Sequence, residues 1–212
     1  MPCVIPGYEE AVEEEQKARI RAYLNQPEIV CGEPLRNVTP HLLAVLIDIR
    51  SPFYCGGSYG YSHVAQFLCA LHTEVVPDDH GRRRMLEAAC RMPIEQCAEE
   101  IDAFLKVTFL DSPCGGSSEV PIASPIAWLV YRFRSEPFRM TVEEIMNRPL
   151  RILYQELRCW NKENGVTVRN RSDLKKSAWL EEINRLTASG ELTEQDLAEA
   201  NERWRREQQG NN

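Results

Sequence analysis

Two short stretches of the chain combine serine, cysteine and paired glycines, which are residue types found in catalytic loops. Residues 51–58 read SPFYCGGS and residues 112–117 read SPCGGS, and an aspartate precedes each of them (Asp48 and Asp111). Residues 56–60 also match the pattern G-x-S-x-G, in which the serine of an α/β-hydrolase attacks a carbonyl group. Whether this serine can act as a nucleophile depends on the elements that position it.

The surroundings of Ser58 do not fit a hydrolase. A nucleophile elbow requires a strand that runs directly into the serine and a helix directly after it. Here eight residues, with Pro52 among them, separate Ser58 from the apolar run at 42–49. The last histidine of the sequence is His80, so no distant loop supplies the base of a triad in the order serine, acid, histidine. We therefore expect no catalytic residue, and an enzyme that uses a serine or cysteine of these loops remains an alternative.

Both glycine loops are instead predicted to end one helix and to begin another. Pro52 and Pro113 would stop the preceding helix, and the paired glycines permit the positive φ angles of a sharp reversal. We expect Cys55 and Cys114 to be neither disulfide-bonded nor bound to metal. Whether the two stretches are a duplication stays open, because they are too short to define a repeat.

The histidines and cysteines do not follow a metal-binding pattern. His63, Cys69, His72 and His80 lie close in sequence, but the chain contains no C-x-x-C pair and no H-x-x-x-H pair. A phosphate-binding G-K-[ST] loop is also absent from the sequence. We therefore expect no metal and no cofactor. The eight cysteines are interpreted as small buried hydrophobes, and His72 is interpreted as a residue at a helix end.

Composition indicates a soluble, intracellular protein. The 212 residues carry a net charge of −7, which argues against a dedicated nucleic-acid binder. The N-terminal stretch turns acidic where a signal peptide would have its apolar core. The longest apolar run, at 42–49, is interrupted by Asp48 and is too short to cross a bilayer, so we expect no membrane contact.

The hydrophobic pattern has a helical period. Residues 94–108 place their apolar side chains at i, i+3, i+4 and i+7. Thr39 followed by Pro40 is a helix start, and Thr141 with Glu144 forms a capping box. A strand-like alternation occurs only at 166–169, which read VTVR. Further helices are predicted over 8–24, 61–72, 120–133, from Pro149 to near Gly165, over 172–186, and from Thr193 onward.

These elements predict an all-α fold, an irregular bundle of about eight to ten helices joined by glycine and proline turns. Residues 1–30 are predicted to form an acidic helical arm, and residues 31–166 to form the main helical domain. Residues 167–212 are predicted to form a polar C-terminal helical region with a disordered tail.

Two groups of residues are candidates for binding a partner. Arg82, Arg83 and Arg84 form the densest basic run, and because their charge opposes the dipole at a helix start, they suggest an acidic partner. Trp179, Leu197 and Trp204 lie in the polar C-terminal region, and aromatic residues are enriched in interface cores. The alternative for the tryptophans is that the last two helices pack on each other or on the main body.

Five segments of the chain follow one another as helices and helix breaks. They read SPFYCGG, SHVAQFLCAL, IEQCAEEIDAFL, PIASPIAWLVYRF and MTVEEIMNRPLRILYQELRCWNKENG. Over about residues 38–186 this succession is similar to small all-helical tail-module proteins of phages and prophages, of the tail assembly chaperone type. The chain departs from them in its many cysteines and its acidic N-terminal arm, and no catalytic residue carries over.

The resemblance implies a non-enzymatic protein in the cytoplasm of a bacterial host. Tail assembly chaperones hold the long tape-measure protein before the tail tube polymerises, so a tape-measure-like helical chain is the expected partner, with a homo-oligomer as a further option. One alternative is a structural component of the virion, such as a tail or head-completion protein. Another is a small DNA-binding protein, in which the run at Arg82–Arg84 would contact phosphates.

Overall fold

The computed structural model describes residues 8–75, 77–113 and 124–166, together with four isolated residues further along the chain (168, 185, 189 and 193). Of these residues 63% are helical and 5% are in strands, which confirms the all-α prediction. The described part contains nine helices: α1 (Tyr8–Tyr23), α2 (Pro40–Asp48), α3 (Pro52–Cys55), α4 (Tyr61–Leu71), α5 (Asp79–Ala89), α6 (Ile94–Thr108), α7 (Pro125–Arg134), α8 (Val142–Asn147) and α9 (Leu150–Glu163).

Helix starts follow the capping chemistry that the sequence indicates. The hydroxyl of Thr39 accepts a hydrogen bond from the backbone N–H of Leu42 at 3.2 Å, and Pro40 occupies the first turn of α2. At α8 the predicted capping box is present. The hydroxyl of Thr141 accepts from the N–H of Glu144, and the Glu144 carboxylate accepts from the N–H of Thr141 at 2.7 Å. Side chains thus satisfy N–H groups that have no partner inside the helix.

The start of α7 differs from the prediction. A continuous helix over 120–133 was expected, but Ser124 is extended and caps a helix that begins at Pro125. Its hydroxyl accepts from the N–H of Ala127 at 3.4 Å. Serine followed by proline is itself a helix-start signal, and this signal outweighs the apolar periodicity that precedes it.

A two-stranded antiparallel hairpin, β1 (Glu28–Val30) and β2 (Glu33–Leu35), was not predicted. Its turn residues Cys31 and Gly32 both have positive φ, as in a type I′ turn. By contrast, a strand was suggested by the alternation at 166–169. The structure describes two of these residues, Val166 and Val168, and neither is in a strand.

The hairpin joins the end of α4 to the helical core. The N–H of Arg36 donates to the carbonyl of Leu71 at 2.8 Å, and the N–H of Thr73 donates to the carbonyl of Pro34 at 3.1 Å. Val38, three residues after β2, contacts the start of α9, since its carbonyl accepts from the N–H of Leu150 at 2.8 Å. The segment after β1 therefore contacts both α4 and α9.

One apolar cluster lies at the centre of the described residues. It draws on the faces of α2, α4, α6 and α9 that the helical period predicts to be buried. Its largest fully buried side chains include Leu43, Leu46, Phe67, Leu68, Ile101, Phe133, Ile145 and Leu150. Helix α1 packs on α9 and buries Ala18 and Ala22. Residues 1–7 and most of 167–212 lie outside the described residues.

Candidate functional site

The arginines predicted to bind a partner lie in the first half of α5. All three of Arg82, Arg83 and Arg84 are exposed. The N-terminus of this helix is capped by Asp78, whose carboxylate accepts from the N–H of Gly81 at 2.7 Å. The acidic residues at the helix start interact favourably with the helix dipole, and they therefore offset the unfavourable interaction of the arginines with it.

The three arginines are hardly engaged within the chain. Arg82 and Asp79 approach to 3.9 Å across a solvent-exposed pair, a contact of little energy. Arg83 and Arg84 form no ion pair with any residue that the structure describes. The other predicted partner-binding residues, Trp179, Leu197 and Trp204, lie outside the described residues.

An open groove of about 360 Å³ lies beside the first of these arginines. We call it the α4 groove, because Gln66, Cys69 and Ala70 of α4 form its floor. Residues of α2 and the start of α5 complete it: Val45, Asp48, Ile49, Pro77 and Arg82. The groove thus combines mainly apolar side chains with two opposite charges, Asp48 on the α2 side and Arg82 on the α5 side.

Cys69 is the only cysteine that lines the α4 groove among the described residues. Burial raises the pKa of its thiol, and the nearby Arg82 offsets this effect only in part. The thiol therefore stays protonated at neutral pH. Because a reactive cysteine depends on its thiolate, this environment does not activate Cys69 as a nucleophile.

The loop at 51–60 connects two helices, as predicted, but Pro52 has a different role from the one expected. Helix α2 already ends at Asp48, and the chain turns at Arg50, whose φ is +50°. Pro52 then opens the single-turn helix α3. The reversal after α3 uses Gly56 and Gly57, whose φ angles of +80° and +123° suit glycine. The corresponding residues 114–120 of the second loop lie outside the described residues.

Ser58 lies exposed in this loop, and α3 rather than a strand precedes it. The ring nitrogen Nδ1 of His63 accepts from the N–H of Gly60 at 3.1 Å, so this histidine closes the loop onto α4. Cys55 is a free thiol at the surface. Among the described residues no three His, Cys, Asp or Glu side chains form a group that could hold a metal ion.

The two aspartates that precede the glycine loops have different environments. Asp48 is exposed at the edge of the α4 groove. The side chain of Asp111 is 3% exposed and contacts two guanidinium groups, those of Arg19 and Arg158. Burial alone raises the pKa of a carboxyl group, but the hydrogen bonds and charges of the two arginines outweigh it and hold the pKa of Asp111 below its usual value. The two stretches are therefore similar in sequence, but the aspartates that precede them have different structural environments.

A second open groove, which we call the α9 groove, has a volume of about 450 Å³ and was not predicted. Its lining combines the last two turns of α9 with the turn after α7. The residues are Phe138, Met140, Arg148, Glu156, Cys159, Trp160 and Glu163. The guanidinium carbon of Arg132 lies 3.8 Å from the centre of the Trp160 ring, a cation–π contact that orients the indole.

Three apolar side chains at the end of α1 and directly after it are exposed. Ile20, Tyr23 and Leu24 are 60%, 55% and 60% exposed. Burial of its phenol raises the pKa of Tyr23, and the negative charge of Glu156, a residue that lines the α9 groove, raises it further. Apolar residues at i, i+3 and i+4 at the end of α1 could have indicated this surface from the sequence.

None of the helices in the described part of the chain combines the length and apolarity that a bilayer span requires. The chain matches no protein-family model, no curated protein and no solved structure. Any account of its function therefore depends on the two grooves and the charges around them.

Proposed function

We propose that this chain is a non-enzymatic protein of a phage or prophage tail module that holds a helical, tape-measure-like partner, as a tail assembly chaperone does. The observation that carries the proposal is the α4 groove, in which mainly apolar side chains of α2 and α4 lie beside Arg82 of α5, an arginine with only a weak contact to Asp79. An amphipathic helix docks in such grooves through apolar side chains at i, i+3 or i+4 and i+7.

The charge of the groove edge selects the kind of helix. Arg82 lines the groove on the α5 side, across from Asp48 on the α2 side, and Arg83 and Arg84 follow Arg82 within the same exposed turn of α5. A helix that carries acidic residues beside its apolar stripe would bring opposite charges together along this edge. Such complementarity mainly speeds association and excludes wrong partners.

The chemistry of the described residues supports binding rather than catalysis. Ser58 has neither an incoming strand nor a histidine aimed at it, and the His63 ring is already hydrogen-bonded to the backbone. Cys69 is held as a thiol at the floor of the groove. These side chains shape the surface without an evident nucleophile and base.

The experiment is co-purification of the full chain with the tape-measure protein of the same phage or prophage. Substitution of Arg82, Arg83 and Arg84 by Glu should weaken binding by about tenfold or more, because the local field beside the groove then repels an acidic helix instead of attracting it. The matched control replaces the exposed residues Arg21, Arg134 and Lys162 by Glu, which changes the net charge equally at other surfaces. Equal binding of the two triple variants would contradict the proposal.

A second variant tests the groove rather than its charge. Gln66→Trp introduces a bulky side chain at an exposed position of the groove floor, so it should block the partner and leave the fold intact.

Mass spectrometry of purified particles separates the chaperone from a virion component. A chaperone is absent from particles, and its presence in stoichiometric amounts would favour the structural alternative.

A further inference from the structure

A small cavity lies between α1, the end of α6 and α9, and we call it the inner cavity. Its volume of about 10 Å³ is close to the space that one water molecule needs. Apolar and polar side chains both line it, among them Ala18, Val107, Thr108, Asp111, Arg151 and Gln155. A cavity of this size selects its ligand by hydrogen bonds rather than by shape.

Two donors on α9 are buried beside the inner cavity. Nη2 of Arg151 and Nε2 of Gln155 have no hydrogen-bond partner among the residues that the structure describes. Arg151 is 5% exposed, and its Nη1 already donates to Glu28. Positions 151 and 155 are one helical turn apart, so the two side chains share a face of α9. Because a buried donor without a partner is costly, both N–H groups require an acceptor.

Two acceptors line the same cavity. The hydroxyl of Thr108 donates to the carbonyl of Phe104 at 2.9 Å, so its oxygen keeps lone pairs that can accept. A carboxylate has about four lone-pair sites, and the hydrogen bonds from Arg19 and Arg158 use three of those of Asp111. Oδ2 of Asp111 can therefore accept one more hydrogen bond.

We propose that the inner cavity binds a single water molecule. Its oxygen accepts from Nη2 of Arg151 and from Nε2 of Gln155. Its hydrogens are donated to Oγ1 of Thr108 and to Oδ2 of Asp111. Two donors and two acceptors match the hydrogen bonds that one buried water can form. An anion of similar size would face the Asp111 carboxylate, and a cation would face the Arg151 guanidinium, so a neutral ligand that both donates and accepts fits best.

This water connects two groups of ion pairs. One group joins Arg151 to Glu28 of β1, and the other joins Asp111 to Arg19 of α1 and Arg158 of α9. No single protein hydrogen bond of the described residues links Arg151 to Asp111. The bound water is therefore a structural component that ties the hairpin to α1 and α9, apart from either open groove.

A high-resolution crystal structure of the full-length chain tests the site directly. We expect a density peak within about 2.7–3.2 Å of both nitrogens and both oxygens. Absence of that peak, with the amide oxygen of Gln155 accepting directly from Arg151, would overturn the proposal. Crystals soaked in bromide test for an anion, and an anomalous peak in the inner cavity would also overturn it.

A double-mutant cycle tests the bridge in solution. Nε2 of Gln155 has no protein partner and the Thr108 hydroxyl donates to the backbone, so no direct hydrogen bond couples the two side chains. If they share a water, Thr108→Val and Gln155→Leu each weaken its binding, and the second substitution costs less than the first. The double variant should then raise the unfolding constant in urea by at least about fivefold less than the product of the two single effects.

The matched control is Thr108→Ser, which keeps the hydroxyl and removes only a methyl group. Its effect should multiply with that of Gln155→Leu, because the acceptor for the water remains. Coupling of the same size in the serine pair would assign the effect to packing and overturn the proposal. Absence of coupling in the valine pair would overturn it as well.

Discussion

Arg19 and Asp111 lie 92 positions apart in the sequence and form two parallel hydrogen bonds, from Nε to Oδ2 and from Nη2 to Oδ1, each of 2.8 Å. Arg158 donates a third from Nη1 to Oδ1 at 2.5 Å. One buried carboxylate therefore joins α1, the end of the α6 segment and α9. Two-pronged contacts of this kind fix orientation as well as adding energy.

Replacement of Asp111 should destabilise the chain strongly. Asp111→Asn preserves the size of the side chain but leaves two guanidinium groups without their charged partner. We expect a loss of about 2–3 kcal/mol in the free energy of unfolding, measured by urea denaturation at pH 7. Asp48→Asn is the matched control, since Asp48 precedes the other glycine loop and is exposed, and it should change stability by less than about 0.5 kcal/mol.

The stability difference between the wild type and Asp111→Asn should depend on pH. The pKa of Asp111 is lower in the folded chain than in the unfolded chain, so its contribution to stability is complete above about pH 4. As the pH falls further, through the folded pKa, the contribution is lost. The stability difference between the wild type and Asp111→Asn should therefore be constant from pH 7 to pH 5 and shrink below about pH 4. A difference that persists undiminished at pH 2 would contradict the assignment.

The loop at 51–60 offers a comparison of two glycines. Gly57 has a φ of +123°, and Gly60 is extended with a φ of −154°, while neither has an atom within 4 Å of the position that a Cβ would occupy. Gly57→Ala should therefore cost about 1–3 kcal/mol from backbone strain alone. Gly60→Ala should stay within about 0.5 kcal/mol of the wild type in thermal or urea unfolding. Equal effects would show that the loop does not keep this conformation.

His72 is 1% exposed and closes the turn after α4. Its Nδ1 accepts from the N–H groups of Glu74 and Val75 at 2.9 and 3.0 Å, so this nitrogen carries no proton, and Nε2 lies 3.2 Å from the Glu33 carboxylate. His72→Leu leaves both N–H groups without an acceptor, whereas His72→Asn offers an amide oxygen near Nδ1.

We expect His72→Leu to be less stable than His72→Asn by about 1–2 kcal/mol, because buried donors without partners are costly. Urea denaturation measures this difference. Amide hydrogen exchange should locate it, with faster exchange at Glu74 and Val75 in the leucine variant than in the asparagine variant. Identical exchange in the two would argue against the role of Nδ1 as an acceptor.

Three cysteines should resist modification until the chain unfolds. Cys31, Cys69 and Cys97 are buried, and burial raises the pKa of each thiol. With N-ethylmaleimide at pH 7 we expect the exposed Cys55, Cys90 and Cys159 to react first, and the buried three to react at a rate set by unfolding. Addition of urea should bring the rates of all six together, and early modification of Cys31 or Cys97 would contradict the packing.

Most of the helical framework could be predicted from the sequence, because local signals determine it. Residues 94–108 and the cap at Thr39 gave helices with nearly the observed bounds. The hairpin escaped prediction because three-residue strands are too short to display alternation, and its turn uses cysteine where asparagine or aspartate is typical. Helix α3 escaped for a similar reason, since a single turn has no periodicity.

The candidate surfaces were predictable only in part. A run of consecutive arginines, such as Arg82–Arg84, can be recognised from the sequence alone. The ion pairs of Asp111 are not, because Arg19 and Arg158 come from distant parts of the chain. The α9 groove likewise depends on how α9, Arg148 at the end of α8 and the turn after α7 meet, and no local pattern contains that information.

The ion pair between Glu28 and Arg151 spans 123 positions and has a consequence for synthesis. At ~5–20 residues per second, roughly 6 to 25 seconds pass on the ribosome between translation of the two residues. Throughout that interval β1 and the buried face of α1 await α9, the helix that completes their contacts. The contacts of β1 and α1 with α9 can therefore form only after the residues of α2 to α8 have been translated.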